Sequence, residues 1–197
     1  MTRGVREQKL SYLGWALPAV VVVLVLSVFL LYVGRGTHVG PTRNLDTGQP
    51  LQLGKPAPEI RGVAFDGSAV DLASLRGKVV LVNFFASWCA ECRAEIPDIE
   101  QTYKARRSAG FEVVGVNAWE NGDGKAFLAG LGGTFPAVLD PLPAPNRPGP
   151  IAASYGLATQ ALPVSVFIDR NGNVHQVYPG RIDAGNIASE LHQMGIG

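Results

Sequence analysis

The sequence predicts an α/β domain, with a mixed central sheet flanked by helices and an N-terminal β-hairpin, preceded by one transmembrane helix. Three observations predict it. β-branched, strand-like runs alternate with helix-like stretches from about residue 60 to the C-terminus. The only two cysteines, Cys89 and Cys92, stand where an apolar run hands over to a helical pattern. Residues 13–33 carry no charge.

The charge-free stretch comes first. Its 21 residues would rise about 31 Å as a helix, close to a hydrocarbon core of about 30 Å. Trp15 and Tyr32 lie near its ends, where aromatic rings favour the interface. A cleaved signal peptide has an apolar region of about 7–15 residues and a small-residue exit. This run is longer, and Leu31-Tyr32-Val33-Gly34-Arg35-Gly36 is a poor cleavage site, so an uncleaved anchor is the better reading. Arg3, Arg6 and Lys9, opposed by Glu7, place residues 1–12 in the cytoplasm and the rest outside, with Arg35 and Arg43 weakening that asymmetry. The expected location is therefore the cytoplasmic (inner) membrane, single-pass, with the C-terminal domain facing the periplasm or cell exterior. Residues 34–53, rich in Gly, Thr, Pro and Asn, read as a linker, and residues 54–197 as the domain.

Within the domain, Ile60–Ala64 and Ala69–Leu72 flank Phe65-Asp66-Gly67-Ser68, a hairpin signal. Leu72–Gly77 reads as one helical turn closed by glycine, and Lys78–Phe85 as a buried strand. The helix after the cysteines should run to about Ser108 and stop at Gly110, with Pro97 kinking it. Phe111–Ala118 is a second β-branched run, Asp123–Leu131 a helix, and Phe135–Leu139 a partial strand. Five prolines between Pro141 and Pro150 forbid regular structure and read as an inserted surface loop. Ile151–Tyr155 is a short helix. Pro163–Ile168 and Asn173–Tyr178 pair antiparallel across Asp169-Arg170-Asn171-Gly172, and Asp183 caps a last helix reaching about Met194.

The chemistry lies in the cysteines. A helix start exposes unpaired N–H groups and the positive end of the dipole, which favour a thiolate. Cys89 is thus the attacking nucleophile and Cys92, one turn on, the resolving thiol. A structural disulfide closing so small a loop removes little chain entropy. A zinc site needs a second ligand pair, and His38, His175 and His192 are scattered. The redox dithiol is the preferred of the three readings. Lys and Arg number 17 against 16 Asp and Glu, a net charge of +1, which offers no case for nucleic acid.

Trp-Cys-x-x-Cys after a strand, Pro97 five residues past the second cysteine, and Leu162-Pro163 before a late strand resemble thioredoxin. Gly54-Lys55-Pro56-Ala57-Pro58 with its Asp-Gly hairpin, Glu95-Ile96-Pro97, and Leu162-Pro163 ahead of Val166–Gly172 narrow this. They resemble the membrane-anchored extracytoplasmic TlpA/ResA/DsbE (CcmG) reductases, over about residues 54–195. The resemblance implies a thioredoxin fold that carries electrons from a membrane dithiol donor to oxidised cysteines of exported proteins, apocytochromes c above all. It also implies a cis Pro163 facing the dithiol, with the Leu162 backbone free to pair with a client strand. No bound cofactor and no metal is implied, since the sulfurs carry the electrons. Trp88 would shield the pair and contact clients; core packing is the alternative reading.

Two positions depart from thioredoxin. Asn83 stands where cytoplasmic thioredoxins carry a buried aspartate, and an amide cannot hold a proton for Cys92. Glu95, one turn beyond Cys92, is the expected substitute: it raises the thiol pKa and serves as general base, unless it is merely a solvated first-turn acid. Glu91, between the cysteines, should oppose the thiolate and push the pair toward reductant potentials of about −270 mV. The rival functions are a disulfide oxidant or isomerase, a copper-binding assembly factor using both sulfurs and a histidine such as His175, and a non-catalytic tethered binding domain.

Overall fold

The computed structural model describes residues 51–197. The expected cytoplasmic segment, the transmembrane anchor and most of the linker lie outside the described residues. Among those described, no helix is long and apolar enough to cross a membrane.

First along the chain, β1 (Arg61–Val63) and β2 (Ala69–Asp71) pair as a separate two-stranded hairpin sheet. Asp66 accepts from the Ser68 N–H and hydroxyl and so closes the turn. After a 3₁₀ turn at Leu72–Leu75 come β3 (Val79–Phe85), α1 (Ala90–Arg106), β4 (Phe111–Asn117), α2 (Gly124–Gly130) and β5 (Ala137–Leu139). The chain ends with α3 (Pro150–Ser154), β6 (Val164–Ile168), β7 (Val174–Pro179) and α4 (Ala184–Gln193). The main sheet has the order β5-β4-β3-β6-β7. β3 pairs parallel with β4 and β4 with β5, while β6 pairs antiparallel with both β3 and β7.

β3 is wholly buried, so both of its faces must be covered. Side chains alternate along a strand, and the core accordingly divides in two. Val79, Leu81 and Phe85 face α1 and α4, with Ile96, Ile99, Phe167 and Leu191. Val80, Val82 and Phe84 face the other way, toward Val166, Tyr155, Val70 of the hairpin and Leu72 of the 3₁₀ turn that follows it. By the same parity Asn83 belongs to the α1 face. Gly115 in β4 lets β5 close: a Cβ there would stand 2.8 Å from that of Ala137.

α1 buries Cys92, Glu95, Ile96, Ile99 and Tyr103, a stripe at helical spacing. It ends at Arg106, followed by a 3₁₀ turn at Arg107–Ala109 and a left-handed Gly110 (φ 89°). α4 begins with a capping box between Asp183 and Asn186. The proline-rich loop is exposed over most of its length, but Pro150 belongs to α3 as its first residue, where a missing N–H costs nothing. Buried Asp140 ties the loop's ends together by accepting from the Ile151 and Ala152 N–H groups. At the N-terminal side, Leu51 is already buried in the core, and the Gly54 N–H donates to the Val174 carbonyl at the edge of β7.

Candidate active site

β3 ends at Phe85, and four residues later the chain turns into α1. Cys89 is the N-cap of that helix, in extended conformation, and its sulfur accepts the Cys92 N–H at 3.1 Å. The sulfurs of Cys89 and Cys92 are joined as a disulfide, with Cα atoms 5.3 Å apart. Cys92 is fully buried, whereas Cys89 keeps 5% of its surface exposed, so an incoming thiolate can reach only Cys89. On reduction the same N-cap position directs helix N–H groups at the Cys89 sulfur.

Around Cys89 lie the expected contact residues. Trp88 is 41% exposed and therefore outside the core; its Nε1–H donates to the Trp119 carbonyl at 2.8 Å, which holds the indole on the surface. The Leu162–Pro163 bond is cis. β6 begins at Val164 opposite Phe84, so Pro163 lies at the carboxyl end of β3, where the dithiol loop departs. Leu162 is half-buried, and its N–H donates to the Gln160 carbonyl at 3.0 Å. The Leu162 main chain was expected to be free for a client strand; the local turn takes its N–H.

Glu95 is not a solvated acid. It is fully buried behind Cys92 on the inner face of α1. Its Oε1 accepts from Asn83 Nδ2 at 2.7 Å and its Oε2 from the Ile182 N–H at 3.0 Å. Burial outweighs these two bonds and pushes the carboxyl up to about 7. Asn83 therefore does not replace the thioredoxin aspartate as a proton carrier; it is the side chain that holds Glu95. Glu91 is exposed.

Sequence reasoning missed a second carboxylate. Glu120 follows β4 and accepts from the Ser87 N–H and hydroxyl, from Asn117 Nδ2, and from the N–H groups of Asn121 and Gly122. Burial alone would raise it, but bonds from Asn117 and Ser87 prevail and hold it below the usual carboxylate range. It ties the β4–α2 loop to the stretch leading into Cys89. The available signal was its place just past the end of a parallel strand, the end where α/β sheets carry their sites. Among the described residues no group of three or more His, Cys, Asp or Glu is placed to hold a metal, and His175 Nε2 lies instead 3.4 Å from Glu190 Oε2.

A sulfur at a helix start that keeps a small exposed edge, joined to a fully buried partner one turn on, is suited to exchanging disulfides with other thiols. That places the domain among the thioredoxin-like proteins. The Redoxin family model matches residues 52–191. The thiol-disulfide oxidoreductase ResA of Bacillus thuringiensis (strain Al Hakam) is 31% identical over 127 residues, which cover 64% of this chain and 69% of that protein. ResA of Bacillus subtilis (strain 168) is 31% identical over 133 residues, 67% of this chain and 70% of that one. A crystal structure of a thioredoxin-family thiol:disulfide interchange protein from Chlorobium tepidum TLS superposes with a TM-score of 0.59 at 31% identity, covering 71% of this chain and 95% of that one. The chain belongs to the Redoxin family, as a thioredoxin-like thiol-disulfide oxidoreductase of the TlpA/ResA/DsbE type.

Proposed function

We propose that this protein is a membrane-anchored reductase of oxidised cysteines in exported proteins, apocytochrome c among them, working outside the cytoplasmic membrane on an anchor at residues 13–33. The observation that carries the reading is the asymmetry of the sulfurs, Cys89 with a small exposed edge beside an exposed Trp88 and Cys92 wholly buried. The Cys89 thiolate attacks one sulfur of a client disulfide; that S–S bond breaks, the other client sulfur leaves as a thiolate, and a mixed disulfide forms. Glu95 takes the Cys92 proton, the Cys92 thiolate attacks the Cys89 sulfur, and the reduced client departs. A membrane dithiol carrier then reduces the Cys89–Cys92 disulfide, so no bound cofactor takes part. Trp88 supplies an apolar contact, and the Leu162 carbonyl beside Pro163 an acceptor for a client strand. The acid tail of the mechanism, Glu95, sits near neutrality through burial, as a general base working at pH 7 requires.

The test is trapping. Full-length Cys92→Ala expressed in the membrane should accumulate a mixed disulfide through Cys89, with the client identified by mass. Cys89→Ser should trap nothing and should reduce insulin at the background rate. A redox potential near the oxidant extreme of about −120 mV would overturn the reductase direction.

A further inference from the structure

Behind the disulfide, three buried polar side chains from two strands and a helix meet in an apolar core. Asn83 on β3 and Ser165 on β6 stand directly opposite each other in the antiparallel ladder. Glu95 on α1 comes down onto them. All three are fully buried. Asn83 Nδ2 donates both to Glu95 Oε1 at 2.7 Å and to Ser165 Oγ at 3.0 Å. Its Oδ1, buried as deeply, has no partner.

A buried amide oxygen without a donor is costly and rare, and calls for a reason. The two ends of an amide are nearly the same size, one a donor and the other an acceptor. Turning the Asn83 amide over therefore changes its shape little, and moves the unpaired end from the oxygen to the N–H groups. The oxygen would then face Glu95 and Ser165. A carboxylate needs a donor there; a carboxylic acid offers an O–H and needs an acceptor. The Ser165 hydroxyl serves either orientation, because it both donates and accepts. An aspartate at this position could not do both, since two carboxylates face to face cannot both ionise.

We infer that Asn83, anchored by Ser165, is a positioning residue for disulfide exchange: its amide turns over as Glu95 gains or loses its proton, so that the carboxyl keeps its place one turn past Cys92 throughout the cycle. This rests on the general-base reading of Glu95. The amide acts through Glu95 and touches no reacting sulfur in this scheme. The Ile182 N–H holds the other carboxyl oxygen fixed, so only the Asn83 side has to change. The charges that bear on Glu95 are Arg181, in the segment before α4, and Glu91 on α1; the first favours its ionised form and the second opposes it.

The experiment follows both groups by NMR in the full-length oxidised chain, solubilised in detergent, with labelled glutamate carboxyl carbons and asparagine side-chain nitrogens. The Asn83 amide signals and the Glu95 carboxyl should move with one shared midpoint near neutrality, and in Glu95→Gln the Asn83 signals should be flat with pH. A hydrogen bond to a charged group is about twice as strong as a neutral one. Asn83→Leu should therefore raise the Glu95 midpoint by about one pH unit, a tenfold tighter hold on the proton, and move the pH profile of insulin reduction with it. Ser165→Ala, which removes only the anchor, should shift the midpoint the same way by less; it carries the test if Asn83→Leu does not fold. Asn83 signals that stay flat while Glu95 titrates would overturn the inference, as would an unmoved midpoint in both variants. Failure of the general-base reading looks different: Glu95→Gln would keep wild-type exchange rates at every pH, whatever the amide signals do.

Discussion

The disulfide is flanked by two carboxylates that the fold treats in opposite ways. Glu95, on the buried side, has two donors and is pushed up to about 7. Glu120, on the outer side, has five donors from Ser87, Asn117, Asn121 and Gly122 and is held low. Burial raises both, but Glu95 is buried completely with two donors, whereas Glu120 is only part-buried and has five, so desolvation wins at the first and hydrogen bonding at the second. One acid is left able to exchange its proton near neutral pH, and the other stays charged there as a clasp on the chain leading into Cys89. Two acids of the same type are thus given opposite proton affinities by their surroundings.

The contrast can be broken at Glu95 most visibly. Its folded-state pKa is raised, so its favourable contribution is present below the ordinary value of 4.5 and is lost as the pH rises through about 7. Oxidised wild type should lose about 3 kcal/mol relative to Glu95→Gln between pH 4.5 and 8, measured by urea unfolding of the two proteins. Equal pH slopes would mean that the buried acid is matched by donors after all.

Glu120 should show the reverse sign. Its pKa is depressed, so the stability it contributes is present above 4.5 and fades as the pH falls through its folded value. Glu120→Gln turns an amide donor toward a ring of donors and should cost about 2 kcal/mol at pH 7, with the gap to wild type narrowing in acid. The smallest effect belongs to Glu91, which is exposed despite standing between the cysteines. In Glu91→Gln the Cys89 thiol, titrated by alkylation of the reduced protein, should change by no more than about half a pH unit, because solvent screens an exposed charge. A larger change would make the motif charge, rather than Glu95, the principal control on the thiol.

The element order was legible because each element is announced locally: Asp183 caps α4, Gly110 follows α1, and the Asp66-Gly67 turn closes the hairpin. The sheet order was only partly so. Parallel pairing of β3 with β4 follows from the helical crossover α1 between them, and the antiparallel β6–β7 hairpin from its tight turn. The insertion of β6 beside β3 joins residues more than eighty positions apart, as Asn83 and Ser165 show. At the site, Cys89, Cys92 and Trp88 were legible from one contiguous stretch, while Glu120 was not, because its partner Ser87 lies 33 residues away.

By itself the sequence determined where the reactive sulfur would be, since a strand running into a helix start is a matter of neighbouring residues. It could equally show Glu95 one turn past Cys92 on the same helix. Only the tertiary structure decided what kind of acid Glu95 is. Its burial, its amide partner on β3 and the Ile182 N–H reaching it from 87 residues away come from packing α1 onto the sheet. Proton affinity depends on the desolvation and donors that packing supplies, and neither is encoded in the local run of residues.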